Sequence, residues 1–580
     1  MERGLNDDYL ESIGVMGKSK CILVQRWTEL LNPRTIATYR VRHLNAHGAL
    51  CEISELIDLV LDGTIGHFHL NPVREECIQL LRDDVSMATH MPQHQQRLLR
   101  NLELLRSKQR SSQLRLKYQI SHSLPQITEA YVVWLLDDLR EAIERNCFTG
   151  VESITSSLAT ELISMGWSQR ALYEMRNLLV AALASENGWF DLENTLTRSR
   201  RRYECVFPVD NELIEEENRV FEKLGLSMQE RSQLLASSLY RDTARVLPSA
   251  PWYLLTQVDA FDPFSALEYA EGKLSSALDI LELFNFGGLK IHDLRIVACR
   301  DDGRLKRVSA DHKWMQLPPA FQSATFDAIA EYMIDSTLNR VDRNRYATAL
   351  SYYRMGMESM EPTARFVNLW VSLESFCRTP AFDSMIECVT SRIPELLSTA
   401  YIYSLVRNYY EDCRRTGVDL PGNIIAVNRS ASRQLTITGT VRSLRSPVGQ
   451  EALKEATASH SLLLQRTNEM ISLLSNPNLL AEALLSHRQR LYWHIQRLYR
   501  VRNSILHTGT ATTNLSALTA HLQDYVLMTL TRTAFIIGSN KATGIDIALE
   551  RAVDNYEATK AVLETGQSLD DELLLDGSLG

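Results

Sequence analysis

Long hydrophobic runs are missing from this chain. The longest, such as Leu178-Leu-Val-Ala-Ala-Leu-Ala184, fall well short of the ~18 apolar residues that a bilayer-spanning helix requires, so no membrane segment is expected. Paired cysteines are missing as well. The nine cysteines are scattered from Cys21 to Cys413 without a Cys-x-x-Cys spacing, which gives no support to a zinc ribbon or a disulfide frame and reads as reduced, mostly buried thiols. The opening Met-Glu-Arg-Gly-Leu-Asn-Asp-Asp lacks the basic-then-apolar order of a secretory signal, and the expected location is the cytoplasm. No Walker-type phosphate loop, Gly-x-Ser-x-Gly elbow or His-Glu-x-x-His site occurs, so nucleotide hydrolysis, esterase and metalloprotease readings have no support. His43 with His47, and His67 with His69, have ligand-like spacing but no third and fourth ligands nearby. Neither a metal nor a cofactor is therefore expected.

Positive charge is also in short supply. The formal net charge of -9 argues against a protein that coats nucleic acid without discrimination, because phosphate binding needs clustered Lys and Arg. Local basic patches do exist. One runs from Arg97 to Lys117, with Glu103 the only acid in it; a second is Arg198-Ser-Arg-Arg-Arg202; the third holds Arg429, Arg433, Arg442 and Arg445 with no acid at all. Solvated faces or loops are the plain reading of the first two.

What the chain does have is helical periodicity, and the fold class is mainly α. Residues 1–125 hold short apolar runs broken by turn signals and end in a basic helix. Residues 126–236 read as a helical region, because Tyr131, Trp134, Leu135, Leu139 and Ile143 follow the i, i+3/i+4 spacing. Residues 237–330 read as a small mixed α+β segment. There Trp252–Val258 is rich in strand formers, Phe264 to Leu283 is a helix, and Asp301-Asp-Gly303 is a hairpin turn. Asp301, Asp302 and Lys306 faintly suggest a metal-dependent nuclease, but the turn explains the aspartates equally well. Residues 331–545 read as a helical bundle with a polar, basic insertion at 417–449, in which Leu435–Val441 suggests a hairpin. Residues 546–580 are an extension with an acidic tail expected to be disordered. Helices are expected near 344–357, 363–378, 383–415, 451–474, 481–507 and 514–537.

One segment of that bundle carries chemistry: Arg497-Leu-Tyr-Arg-Val-Arg-Asn-Ser-Ile-Leu-His507-Thr-Gly. At 100° per residue, Leu491, Ile495, Leu498, Ile505 and Leu506 form one core stripe with Arg502 in its middle. A guanidinium there needs a carboxylate or a water-filled opening, because an unpaired buried charge is costly. In the expected helix 363–378, Phe366, Leu369, Trp370, Leu373 and Cys377 mark the buried stripe, and Glu374 lies on it. An Arg502 to Glu374 contact is thus predicted. Asn503, His507 and Arg500 share a face turned away from the stripe. Gly509 is the expected helix stop, which places His507 at a helix C-terminus that favours its cationic form. A guanidinium, an amide and an imidazole are the groups needed to cut RNA without a metal.

Arg502-Asn503-x-x-x-His507 followed by Thr-Gly resembles the signature of the HEPN superfamily, and Leu369-Trp-Val-Ser-Leu-Glu374 resembles the Leu-Trp-x-x-Leu-Glu helix of its Apea-like branch. The two segments stand in the right order, and the resemblance covers about residues 330–540. It implies a four- or five-helix bundle that dimerises with its signature helices across a cleft. It also implies a metal-independent endoribonuclease that leaves a cyclic phosphate, cuts single-stranded or loop RNA (tRNA or mRNA) and serves in antiviral defence, abortive infection or as a toxin. On that reading His507 moves protons, Arg502 stabilises charge or holds the site in shape, and Asn503 orients the phosphate. The inward direction of Arg502 leaves Arg500 to meet phosphate. Arg497 and the insertion's Arg429, Arg433, Arg442 and Arg445 are RNA-binding candidates. The N-terminal half is of a size to bind a trigger or regulatory partner. The alternatives are a catalytically inactive bundle of the same fold, used for RNA binding or dimerisation, and a purely structural helical scaffold.

Overall fold

Apolar residues spaced at the helical period close a bundle in the C-terminal half. The computed structural model describes residues 5–32, 44–185, 187–237, 239–240, 247–283, 289–309, 340–359, 361–417, 433–509, 515–538 and 542–570, side chains of 433–436 and 508 excepted. The chain is mainly α with one small antiparallel sheet, as its periodicity predicts. It divides into two compact units, one of residues 1–161, 180–188 and 317–580, the other of residues 162–179 and 189–316.

In the first unit the core joins Arg340–Glu358, Pro362–Cys377, Pro477–Thr508, Leu515–Gly538 and Ile545–Glu564. Tyr346, Phe366, Leu369, Trp370, Leu373, Leu491, Ile495, Leu498, Leu522, Tyr525 and Leu549 fill it. Close approach of the first two helices is permitted by Gly356, where an added Cβ would come within 3.0 Å of Leu369 Cγ. Two hydrogen bonds tie the layers: Ser372 Oγ donates to the Ala349 carbonyl at 2.6 Å and the Tyr346 hydroxyl to the Leu530 carbonyl at 2.9 Å. The helix Ile545–Glu564 is part of this core and not an extension, since Ile545, Ala548, Leu549 and Ala552 are buried in it. Residues 571–580 of the acidic tail lie outside the described residues.

Two helices expected as single rods are broken. The stretch 383–415 forms Met385–Thr390, Ile393–Ser398 and Tyr401–Thr416, because Pro394 fits the first turn of a helix but not its interior. The stretch 451–474 forms Pro447–Thr457 and Ser461–Ser475, with His460 Nδ1 accepting the Leu463 amide at the second start. The hairpin expected at 435–441 is not there. Arg433–Arg445 is a helix whose Ile437, Val441 and Leu444 enter a second core with Val406, Tyr409, Leu453, Leu463 and Leu480. The β-branched run that suggested a strand is overridden by this tertiary packing.

The described residues of 1–125 are helical as well and belong to the same unit as the bundle. They include Lys18–Leu31, Ala46–Leu61, Leu70–Asp83 and Pro92–Glu103. Asp7 accepts the Ser461 hydroxyl at 2.6 Å, the Leu462 amide donates to Gln25 at 2.9 Å, and Arg466 pairs with both Glu152 and Glu29. The N-terminal helices and the bundle are thus joined by buried polar contacts within one unit.

The second unit is an antiparallel sheet of β1 (Arg201–Val209), β2 (Leu226–Glu230), β3 (Trp252–Ala260), β4 (Leu294–Cys299) and β5 (Leu305–Ser309), in the order β2-β3-β1-β4-β5. Helices Glu215–Lys223 and Pro263–Leu283 connect β1 to β2 and β3 to β4. The first four strands with these helices have the split βαβ, ferredoxin-like arrangement. One face packs Tyr203, Cys205, Phe207 and Leu254 on Phe221, Leu267 and Leu274; the other buries Val206, Tyr253, Leu255 and Ile296 with Tyr240 and Leu247. The expected hairpin is present: β4 and β5 pair across Asp301-Asp302-Gly303, where Gly303 takes a φ of 71°. The strands β1 and β2 lie inside the stretch 126–236 that reads as helical. Pro208 lies beyond the Tyr203–Val206 stretch that ladders with β4, and there β1 serves as acceptor, the Pro208 carbonyl taking the His292 amide at 3.0 Å.

Candidate functional site

The helix Pro477–Thr508 carries the signature residues and is bounded as its sequence dictates. Asn476 Oδ1 accepts the Asn478 amide at 3.0 Å and Pro477 occupies the first turn. Gly509 ends the helix in the left-handed region, at φ 67°, its amide donating to the Ile505 carbonyl at 3.1 Å. Opposite runs Pro362–Cys377, started by Glu361, whose carboxylate accepts the amides of Thr363 and Ala364.

The predicted contact is present. Arg502 donates to Glu374 Oε2 at 3.4 Å and, through its other terminal nitrogen, to Asn503 Oδ1 at 3.0 Å. One guanidinium therefore joins the two signature segments and fixes the Asn503 amide plane. The Asn503 amide nitrogen has no partner among the described residues. His507 is exposed, with no hydrogen-bond partner among the described residues. Leu506, expected on the core stripe, is 49% exposed, because the last turn projects past the bundle while Leu498 and Val501 remain inside.

Two assignments need correction. Arg500 and Arg497 do not face solvent; both are buried under the helices Ala46–Leu61 and Leu70–Asp83. Arg497 donates to Glu52 at 2.8 Å and to Glu76 at 2.6 Å, and Arg500 donates to the other oxygen of Glu52. Burial pushes the Glu52 carboxyl up, but the two guanidinium groups outweigh it and hold it below the usual carboxylate range. His69 stacks on Tyr499 at 5.7 Å. Its own burial and then the nearby Arg500 cation bring its pKa down to about 4. The face that reads as outward is thus covered along Trp493, Gln496 and Arg500, half-buried at Asn503 and exposed at His507.

Glu52 and Glu76 were not singled out in the sequence. Glu76 did carry a signal, a carboxylate between Val73 and Cys77 on an apolar stripe, which is the criterion that found Glu374.

Of the insertion's four arginines, the structure describes the side chains of two. Arg442 is exposed on its helix, and Arg445 donates to the Leu569 carbonyl at 2.7 Å. Arg429 lies outside the described residues, as does the side chain of Arg433, which begins the helix. No group of three or more potential metal ligands occurs among the described residues, and His43 is not among them. Asp301 and Asp302 serve the hairpin, accepting the Arg202 and Arg304 amides, and Lys306 pairs with Glu174. No helix among the described residues is long and apolar enough to cross a membrane. A scan against protein-family models finds no match, and searches of the curated proteins and of the solved structures find none either.

Proposed function

We propose that this chain is a metal-independent endoribonuclease of HEPN type, cutting single-stranded or loop RNA such as tRNA or mRNA in the cytoplasm, in a defence or toxin role. The observation that carries the reading is the triad at the end of one helix. There Arg502 is anchored on Glu374 and holds the half-buried Asn503, and His507 is exposed one turn further on. In the cut, the ribose 2'-oxygen loses its proton and attacks phosphorus, the bond from phosphorus to the 5'-oxygen breaks, and that oxygen takes up a proton. The products are a 2',3'-cyclic phosphate and a 5'-hydroxyl. A single imidazole does one proton transfer at a time, so a two-fold dimer that brings two His507 side chains together supplies base and acid at once. The amide nitrogen of Asn503 meets a phosphate oxygen, and Arg502 acts first as a positioning residue.

A second reading has an observation in its favour. With Arg497 and Arg500 neutralised by Glu52 and Glu76, the open face has few cations, which suits an inactive bundle used for RNA binding or dimerisation. The same pairs suit an enzyme whose N-terminal helices restrain it until a trigger binds. The test incubates the purified chain and its His507→Ala form with total RNA or tRNA in EDTA. Cleavage by the first and none by the second is expected. Binding without cleavage in every condition sinks the enzyme and leaves the module.

A further inference from the structure

The basic run Arg198-Ser-Arg-Arg-Arg202 enters β1, and strand alternation sorts its members. Arg201 turns to Asp302, 3.0 Å away across the sheet edge. Arg198 is held by the Phe261 carbonyl at 2.5 Å and lies 4.8 Å from the Trp167 ring centroid. Arg200 and Arg202 point together into a cavity of about 450 Å³ whose other walls are Gln257, Val258, Asp259, Tyr269 and Lys273.

The cavity exists because β2 is short. It pairs with β3 only as far as Thr256, so from Gln257 onward the outer edge of β3 has no strand beside it among the described residues. Tyr269 and Lys273, four apart on the helix Pro263–Leu283, overhang that edge. Lys273 Nζ donates to the Gln257 carbonyl at 3.1 Å, a contact that positions its charge without neutralising it. Arg200 sits 5.5 Å from the Phe261 ring centroid, and no carboxylate pairs with it among the described residues. Among the described residues, the one ion-pair contact of Arg202 is a long one, 3.9 Å to Asp259. Three cations thus face one carboxylate in a recess that also offers an aromatic face, Tyr269, and an apolar floor, Val258.

We propose that this cavity binds a nucleoside phosphate, with Arg200, Arg202 and Lys273 on the phosphate oxygens and the Tyr269 ring against the base. Guanidinium forks and an ammonium group are the usual partners of phosphate, an aromatic face suits any base, and the volume falls within the range of small-ligand pockets, ~300–1,000 Å³. The chemistry is shared by a free nucleotide and by the phosphorylated end of an oligonucleotide. We assign the free nucleotide because the recess is the size of one residue.

The test is calorimetric titration of the full chain with AMP, ATP, pyrophosphate and a 5'-phosphorylated octanucleotide. Saturable 1:1 binding of a mononucleotide is expected, weakened at least tenfold in the Arg200→Ala/Lys273→Ala double variant with unchanged circular dichroism and melting. Tyr269→Ala should weaken AMP at least threefold and leave pyrophosphate unchanged. No saturable mononucleotide binding overturns the proposal, as does a double variant that binds like the parent or binding confined to the octanucleotide. The readout is binding in the α+β unit, so it stands whatever the ribonuclease assay returns.

Discussion

Replacing Glu52 with glutamine keeps the shape of the side chain and removes its charge from between two guanidinium groups. Arg497 would keep Glu76 at 2.6 Å, whereas Arg500 would lose the one carboxylate that pairs with it among the described residues. The side chains of Arg497, Arg500 and Glu52 are 10%, 9% and 19% exposed, so solvent screening gives little relief. Breaking a buried pair by removing one partner costs about 3–5 kcal/mol. Because a glutamine oxygen still accepts a hydrogen bond, we place the loss near the lower bound, about 3 kcal/mol. Amide hydrogen exchange reads this locally, where a global melt would average over two units. Peptides covering 46–61 and 491–501 should exchange on the order of 10²-fold faster in Glu52→Gln, and peptides from the sheet should not change. Exchange within threefold of the parent in both peptides would refute the claim that these carboxylates bind the N-terminal helices to the signature helix.

Leu498→Ala should destabilise the bundle by about 2–5 kcal/mol, while Leu506→Ala should cost under about 0.5, as read from urea midpoints; equal effects would contradict the placement of the last turn outside the core. Gly509→Ala should cost about 1 kcal/mol and fray the turn that carries His507, because its φ of 67° is unfavourable to a side chain; an unchanged melting temperature would argue against this helix stop. His47 gives a pH dependence. Burial lowers its pKa, but the neighbouring Cys51 and the Glu161 carboxylate, 2.8 Å from Nδ1, prevail and raise it from 6.5 to about 10. A folded-state pKa raised in this way contributes stability that is fully present below about 6.5 and lost as pH rises through about 10. The stability gap between the parent and His47→Gln should therefore shrink from pH 7 to pH 10.5 in urea titrations, and a gap that widens would reverse the assignment.

Much of the bundle was legible because its helices follow one apolar period, and Gly509 is a recognisable stop, although the start expected at 481 lies four residues earlier, at Pro477 behind the Asn476 cap. The Arg502 to Glu374 pair was legible for the same reason: a charge on each of two apolar stripes demands a partner. Periodicity failed where tertiary contacts override it. Arg497 and Arg500 read as solvent-facing because helical phase locates the bundle core, but it cannot reveal a second layer of helices laid over the opposite face. Ile437 and Val441 read as strand because their β-branched neighbours favour it, until a packed core makes them helical. In β1, Arg-Arg-Tyr-Glu-Cys-Val-Phe-Pro-Val is buried from Tyr203 onward on both faces, so it lacks the alternation that marks a half-exposed strand.

The chemistry of the cut ends tests the central claim most directly. RNA incubated with the purified chain in EDTA should carry 2',3'-cyclic phosphates and 5'-hydroxyls, the latter labelled by polynucleotide kinase without prior phosphatase treatment. The same ends should be absent with His507→Ala and with Asn503→Ala strongly reduced. Fragments bearing 5'-phosphates, or cleavage that survives loss of His507, would contradict the account.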